Sequence, residues 1–279
     1  MSYDIILIED VPCLTIFEIK NKESPKVTEK IKKLFLEIKL LFRSIPSILL
    51  AFNVVAIVGM NLLANKSLDL GEKVGSWLAL DGGIIFSWLV FLTMDVVTRR
   101  FGVKAANIVS LFTLFANLVF AVILIIASYI PGFWGLSFEG DTINMSVNNA
   151  LDLTFRGEWF VLLGSSVAFI VSAVVNNFLH AGLEKLMKDK KRALAFSVSS
   201  YVSTFVAQFI DNMLFAFIVS INFFGWSAVQ CVTCAVTGAF AELIFEIIFS
   251  PVGYRIVKRL EDDNVGAEYL ELVYGGKEK

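Results

Sequence analysis

Charge is scarce in this chain, and cysteine and histidine are scarcer. Of 279 residues only 18% are Asp, Glu, Lys or Arg, well below what covers a soluble domain of this size. A single-core soluble protein is therefore excluded. The acids and bases nearly balance at a net charge of -2, so no basic surface points to nucleic acid. The three cysteines, Cys13, Cys231 and Cys234, are too few for a disulfide framework. Cys231 and Cys234 stand inside an apolar stretch with no further Cys or nearby His, which reads as packing rather than as a metal site. No zinc-finger, P-loop or dinucleotide motif occurs, so the chain itself has no means to hydrolyse a nucleotide and no cofactor is expected.

What is abundant is apolar sequence: 57% of residues, with a mean hydropathy of +0.73. A membrane-crossing helix needs about 20 residues, and the stretches 45–64, 76–98, 105–130, 158–180, 194–222 and 227–250 supply it. The fold expected is an all-α polytopic membrane protein with six transmembrane helices. Basic residues set its orientation. Lys30, Lys32, Lys33, Lys39 and Arg43 precede the first span, Arg99, Arg100 and Lys104 follow the second, Lys185, Lys188, Lys190, Lys191 and Arg192 follow the fourth, and Arg255, Lys258 and Arg259 follow the sixth. The opposite connections hold Asp69, Glu72, Glu139, Asp141 and Asp152 with few bases. Both termini are thus expected in the cytoplasm of a bacterial or archaeal cell, with the chain multi-pass in its plasma (inner) membrane.

Three regions follow. Residues 1–44 are expected to form a cytoplasmic segment and are not expected to contain a signal peptide, the apolar run Ile5 to Ile8 being short and lacking a basic leader. Within it Ile31, Leu34, Phe35, Ile38, Leu41 and Phe42 recur at helical spacing with lysines opposite, as in a helix lying on an anionic leaflet or leading into the first span. Residues 45–260 form the transmembrane domain, and 261–279 a polar cytoplasmic tail.

Polar residues at membrane depth are costly and so become functional candidates. In the second span Asp81, Trp88 and Asp95 recur at sevens; Asp95 also stands four residues before Arg99, which suits a plain ion pair. The fifth span carries Ser197, Tyr201, Thr204, Gln208, Asp211 and Phe215 on one face, and the sixth carries Cys234, Gly238, Glu242 and Glu246 at steps of four. In the fourth, Ser165, Phe169, Ser172, Asn176 and His180 form a stripe with Asn177 beside it; His180, the only histidine, reads as a hydrated interfacial residue rather than a proton relay. Asn53, Asn61 and Asn65 come from the first span, and Asn107, Ser110 and Asn117 from the third. Together the stripes could line one cavity, the mark of a small-molecule transporter. Asp95, Asp211 and Glu242 could instead be a carboxylate set of an intramembrane enzyme, but no nucleophile–base pair accompanies them, and no enzyme activity is expected.

Four fragments carry a family resemblance: Asn61-Leu-Leu-Ala-Asn65-Lys66, then Phe91-Leu-Thr-Met-Asp95-Val-Val-Thr-Arg99-Arg100-Phe101-Gly102, then Ser203-Thr-Phe-Val-Ala-Gln208-Phe-Ile-Asp211 with Phe215, and Pro251-x-x-Tyr254. In order and spacing they resemble the queuosine precursor transporter family, also described as vitamin uptake transporters, over roughly residues 45–260. The chain departs from the family pattern at Asn176 or Asn177, where Asp is common, and at Glu242, where Lys is often seen. The resemblance implies import of a 7-deazaguanine: 7-cyano-7-deazaguanine, its aminomethyl derivative or queuine. The chemistry suits such a cargo, because a carboxylate accepts from the N1–H and N2–H2 edge while Gln208 or an Asn serves the O6 carbonyl. The substrate-binding residues expected are Asp211, Gln208, Asn61, Asn65, Asp95, Trp88, Asn176, Glu242 and Phe215. The alternatives are a vitamin-binding membrane subunit energised by a separate ATPase complex, or a carrier of another planar vitamin or nucleobase. The partners expected are that planar small molecule and membrane lipid, with a homodimer left open.

Overall fold

A computed structural model describes residues 25–68, 77–134, 142–186 and 192–275, in backbone alone for 25–28, 142–144, Ala173, Asn176, Asn177, His180 and much of 181–200. Two compact units divide the chain, residues 45–265 and a smaller one from the two termini.

The smaller unit pairs α1 (Pro25–Ser44) with a short C-terminal helix, α9 (Ala267–Tyr274). Glycines in the left-handed region, Gly266 and Gly275, bracket α9, where any Cβ would be strained. Within this unit Leu41, Glu37 and Tyr269 are buried. Burial keeps the Tyr269 phenol protonated, pushing its pKa up to about 12. Phe35, by contrast, is 70% exposed, with Ile31 and Leu34 beside it. The polar tail expected from 261 onward thus contains a helix.

In the larger unit α2 (Ser47–Ala64) leads into a minimal hairpin of β1 (Ser67–Leu68) and β2 (Leu80–Asp81), antiparallel with Ser67 opposite Asp81. There follow α3 (Ile84–Phe101), α4 (Val103–Tyr129), α5 (Thr142–Leu186) and α6 (Arg192–Phe215). A π-helical turn, Ala216–Ser220, joins α6 to α7 (Ile221–Phe224), and α8 (Ala228–Asp262) completes the bundle. Helix α3 packs on α2, α4 and α8; α5 packs on α4 and α6; α6 packs on α8. One residue, Gly102 at φ 87°, separates α3 from α4.

Burial is inverted relative to a soluble bundle. On α4, Asn117 is 1% exposed and Thr113 fully buried, while Leu111 is 66% exposed and Phe115, Ile123 and Ile126 are also open. Polar groups inside and large apolar groups outside require an apolar solvent. Five helices among the described residues are long and apolar enough to cross a membrane: α2, α4, a stretch of α5, α6 through α7, and α8. The stretch expected as the second span is α3, which stands outside that set and carries Asp95, Arg99 and Arg100.

Two helices outrun their apolar stretches. Helix α5 begins at Thr142, so Asp152 is helical rather than in a connection. Its carboxylate accepts from Trp134 Nε1 at 2.7 Å and from Asn148 Nδ2 at 3.3 Å. One turn on, Arg156 donates to the Ser128 carbonyl at 2.7 Å and lies over the Tyr129 ring, satisfying an end carbonyl of α4. Helix α8 runs through Pro251 to Asp262. Its start is fixed by a reciprocal cap, in which the Gln230 backbone donates to Ser227 Oγ and the Ser227 backbone to Gln230 Oε1. Close packing elsewhere depends on glycine: a Cβ at Gly157 would meet the Phe223 ring, and one at Gly164 would meet Val219.

Candidate functional site

The hairpin folds back on the end of α2. Gly82 N donates to the Lys66 carbonyl at 2.7 Å, and a Cβ on Gly82 would lie 2.7 Å from the Leu63 carbonyl oxygen, so only glycine permits the approach. This places Asp81, whose Oδ1 accepts from Gly83 N at 2.8 Å, over the bundle beside α6 and α8. Asp81, Asp211 on α6 and Glu242 on α8 are near enough to interact electrostatically. Ser172 of α5 donates to Asp211 Oδ1 at 2.8 Å, and Asn212 donates to Glu242 Oε2 at 3.2 Å. Gly238, one turn before Glu242, leaves room for Asn212: a Cβ there would lie 2.9 Å from Nδ2. Three carboxylates, a hydroxyl and a carboxamide from the hairpin and three helices thus converge, with buried Cys234 at their edge.

The other expected residues fall elsewhere. Asp95 pairs with Arg99 at 3.3 Å with both side chains partly exposed, the plain ion pair that its spacing allowed. Glu246 of α8 is within electrostatic reach of that pair. Trp88 stacks on Phe249 with centroids 4.4 Å apart, so one of its faces is taken. Phe215 packs against the apolar cluster of Ala64, Val161 and Val219. Gln208 is half-buried on α6 and Asn61 is buried on α2. Asn65 donates to Glu158 of α5 at 2.8 Å. Asn53 donates to Thr93 at 2.7 Å across the α2–α3 contact, a bond of the kind that holds membrane helices together. Asn176, Asn177, His180 and Ser197 lie outside the residues whose side chains are described, as do Asp69, Glu72, Glu139 and Asp141.

Two carboxylates of the interior are poorly marked by the sequence. Asp81 resembles a hydrated group at a span end, because the hairpin that turns it inward has strands of only two residues each. Glu158 stands at the very start of the expected fourth span, outside the stripe assigned there. A signal for it exists: Glu158, Ser165 and Ser172 recur at sevens, extending that stripe toward the helix start.

Long apolar helices whose exposed flanks are hydrophobic and whose interior gathers carboxylates and amides define a polytopic membrane protein of the transporter class. The sequence model of one family, described as putative vitamin uptake transporter, matches residues 81–256, and the chain belongs to that family. The match runs from Asp81 through Glu242 and so contains the whole carboxylate cluster. No curated protein and no solved structure matches the chain.

Proposed function

We propose that this chain carries a planar, guanine-like heterocycle, a 7-deazaguanine queuosine precursor, across the membrane, binding it where Asp81, Asp211 and Glu242 converge. The observation behind this reading is that convergence. A guanine-type edge offers N1–H and N2–H2 donors, which a carboxylate accepts as a pair, while O6 needs a donor of the kind Asn212 or Gln208 supplies. Vitamin uptake by the family supports a small organic cargo; the deazaguanine rests on this donor–acceptor match and on the fragment resemblance.

Replacing Asp211 by Asn keeps its shape but turns an amide donor toward the ligand's own donors. Losing one charge-assisted hydrogen bond costs on the order of 1.5 to 3 kcal/mol, roughly a ten- to hundredfold loss of affinity. Calorimetry on purified protein with 7-cyano-7-deazaguanine, and guanine for comparison, reads this directly. Unchanged affinity in folded Asp211→Asn removes Asp211 from the site, and a wild type that binds neither compound removes the cargo. Uptake by the purified chain in liposomes without ATP is also expected; uptake that appears only with an added ATPase complex would instead make the chain the membrane subunit of such an assembly.

A further inference from the structure

Outside the carboxylate cluster, one buried acid has a partner whose two polar atoms are both satisfied in only one of the acid's protonation states. Glu158 on α5 is 2% exposed. Its Oε2 accepts from Asn65 Nδ2 at 2.8 Å, and among the described residues it has no other hydrogen bond and no ion pair. Its surroundings are apolar: Ala64, Val161 and Val219 form a buried cluster one turn away, and Phe223 closes over Gly157. Among the described residues the packed elements bring no compensating cation, and Lys66, next to Asn65, is exposed. Helix α2, the π turn and α7 contain no titratable side chain. On α4 the titratable groups are Lys104, at the far end of the helix, and Tyr129, which lies under Arg156. Arg156, on α5 itself, is turned to the Ser128 carbonyl and Asp152. On α6, Asp211 is bonded to Ser172, two heptads from Glu158 along α5, Tyr201 lies ten residues earlier, and Arg192 begins the helix.

The decisive atom is on the other side of the pair. Asn65 Oδ1 is buried and has no donor among the described residues. An ionised carboxylate only accepts and offers Oδ1 nothing; a carboxylic acid carries one O–H donor. A neutral acid and a primary carboxamide are complementary at both atoms, the amide N–H donating to one acid oxygen and the acid O–H donating to the amide oxygen. Ionisation removes the second bond and leaves a bare charge among apolar side chains, which costs several kcal/mol unless water enters.

We propose that Glu158 and Asn65 form a proton-binding site that couples the movement of protons to transport. The neutral acid holds α5 to the end of α2. Its dissociation, with the proton passing to water, removes one of the two bonds and draws water to the charge, which loosens that hold and lets the helices part. The proton is taken from water on one side of the membrane and returned to water on the other, with no other bond made or broken. The hairpin supplies a connection to the substrate site. Asn65 precedes Lys66, whose carbonyl accepts from Gly82, and Gly82 follows Asp81 of the carboxylate cluster. By linkage, protonation of Glu158 and ligand binding at the cluster then alter each other's affinity by the same factor. This rests on the transport reading but not on the identity of the cargo.

The test has one arm without substrate and one with it. Infrared difference spectra of the purified full chain in lipid, wild type minus Glu158→Gln, are expected to contain an acid C=O band at neutral pH, shifted in Asn65→Ala, where the amide partner is gone. In liposomes, an imposed proton gradient is expected to raise uptake of 7-cyano-7-deazaguanine by the wild type. Glu158→Gln, whose amide gives Asn65 Oδ1 a permanent N–H donor and so preserves the pairing, is expected to lose that response. Absence of the acid band overturns the proposal, and so does a gradient response that survives Glu158→Gln. If the wild type takes up none of the deazaguanine, the cargo falls and the infrared arm decides the proton site alone.

Discussion

Gly238 has no side chain, and its chemistry is what that absence allows. Asn212 reaches Glu242 across the α6–α8 contact because nothing stands at Gly238, where a Cβ would meet Nδ2 at 2.9 Å. Gly238→Ala is expected to push the amide aside and leave one oxygen of buried Glu242 without its donor. A lost neutral hydrogen bond is worth about 0.5 to 1.5 kcal/mol, or about two- to twelvefold in affinity, less than the loss from Asp211→Asn. Titrating both variants with the same deazaguanine checks that order, and equal losses would mean that Asn212 does more than orient Glu242. At this scale the sequence is legible wherever a residue's role lies along its own helix. The steps of four that lead from Gly238 to Glu242 and Glu246 mark a face by spacing alone. Asp81 acquires its charged neighbour, Asp211, from 130 positions away and Glu158 its hydrogen-bond partner, Asn65, from 93, and no periodicity within one span reports such a juxtaposition.

At the scale of single elements, the helices are specified most strongly at their ends. The reciprocal cap at Ser227 and Gln230 satisfies donors that α8 would otherwise leave open. Ser227→Ala is expected to cost about 1 kcal/mol, read as a lower melting temperature in detergent with ligand affinity unaltered; an unchanged melt would mean that water replaces the hydroxyl. Glycine governs the α5 contacts. A methyl at Gly164 would run into Val219 of the π turn, and overpacking of this kind costs about 1 to 3 kcal/mol. Gly164→Ala should therefore destabilise the fold more than Ser227→Ala, by the same melting measurement. Apolar runs locate these helices but not their limits. Helix α5 begins well before the stretch 158–180 expected to span, where Asp152, Asn148 and Arg156 satisfy one another and Trp134, and such partnerships are invisible to hydropathy.

For the whole molecule, the proposed topology follows from the placement of bases. It sets Lys104, at the α3–α4 turn, on the cytoplasmic side and Gly132, beyond the end of α4, on the other. Gly132 is exposed and a Cβ there meets nothing within 4 Å, so a cysteine should be tolerated. An impermeant thiol reagent applied to intact cells is expected to label Gly132→Cys and spare Lys104→Cys; the reverse pattern would invert the assignment. The bundle as a class of fold is readable from composition alone. The role of α3 is not, since three charges leave it short of a free-standing span even though α2, α4 and α8 surround it.

That contrast between neighbours bears on how the chain enters a membrane. Between Lys104 and Tyr129, α4 has no ionisable side chain, and a segment so greasy partitions into lipid unaided. Helix α3 carries Asp95, Arg99 and Arg100 within its last two turns, and each such group counts against insertion unless it stays near the interface. With Gly102 as the sole residue between them, the two cannot be handled separately during synthesis. On the topology proposed above, the charged helix is therefore expected to enter only together with its apolar successor, the two as a hairpin, with Asp95 and its arginines left at the cytoplasmic face.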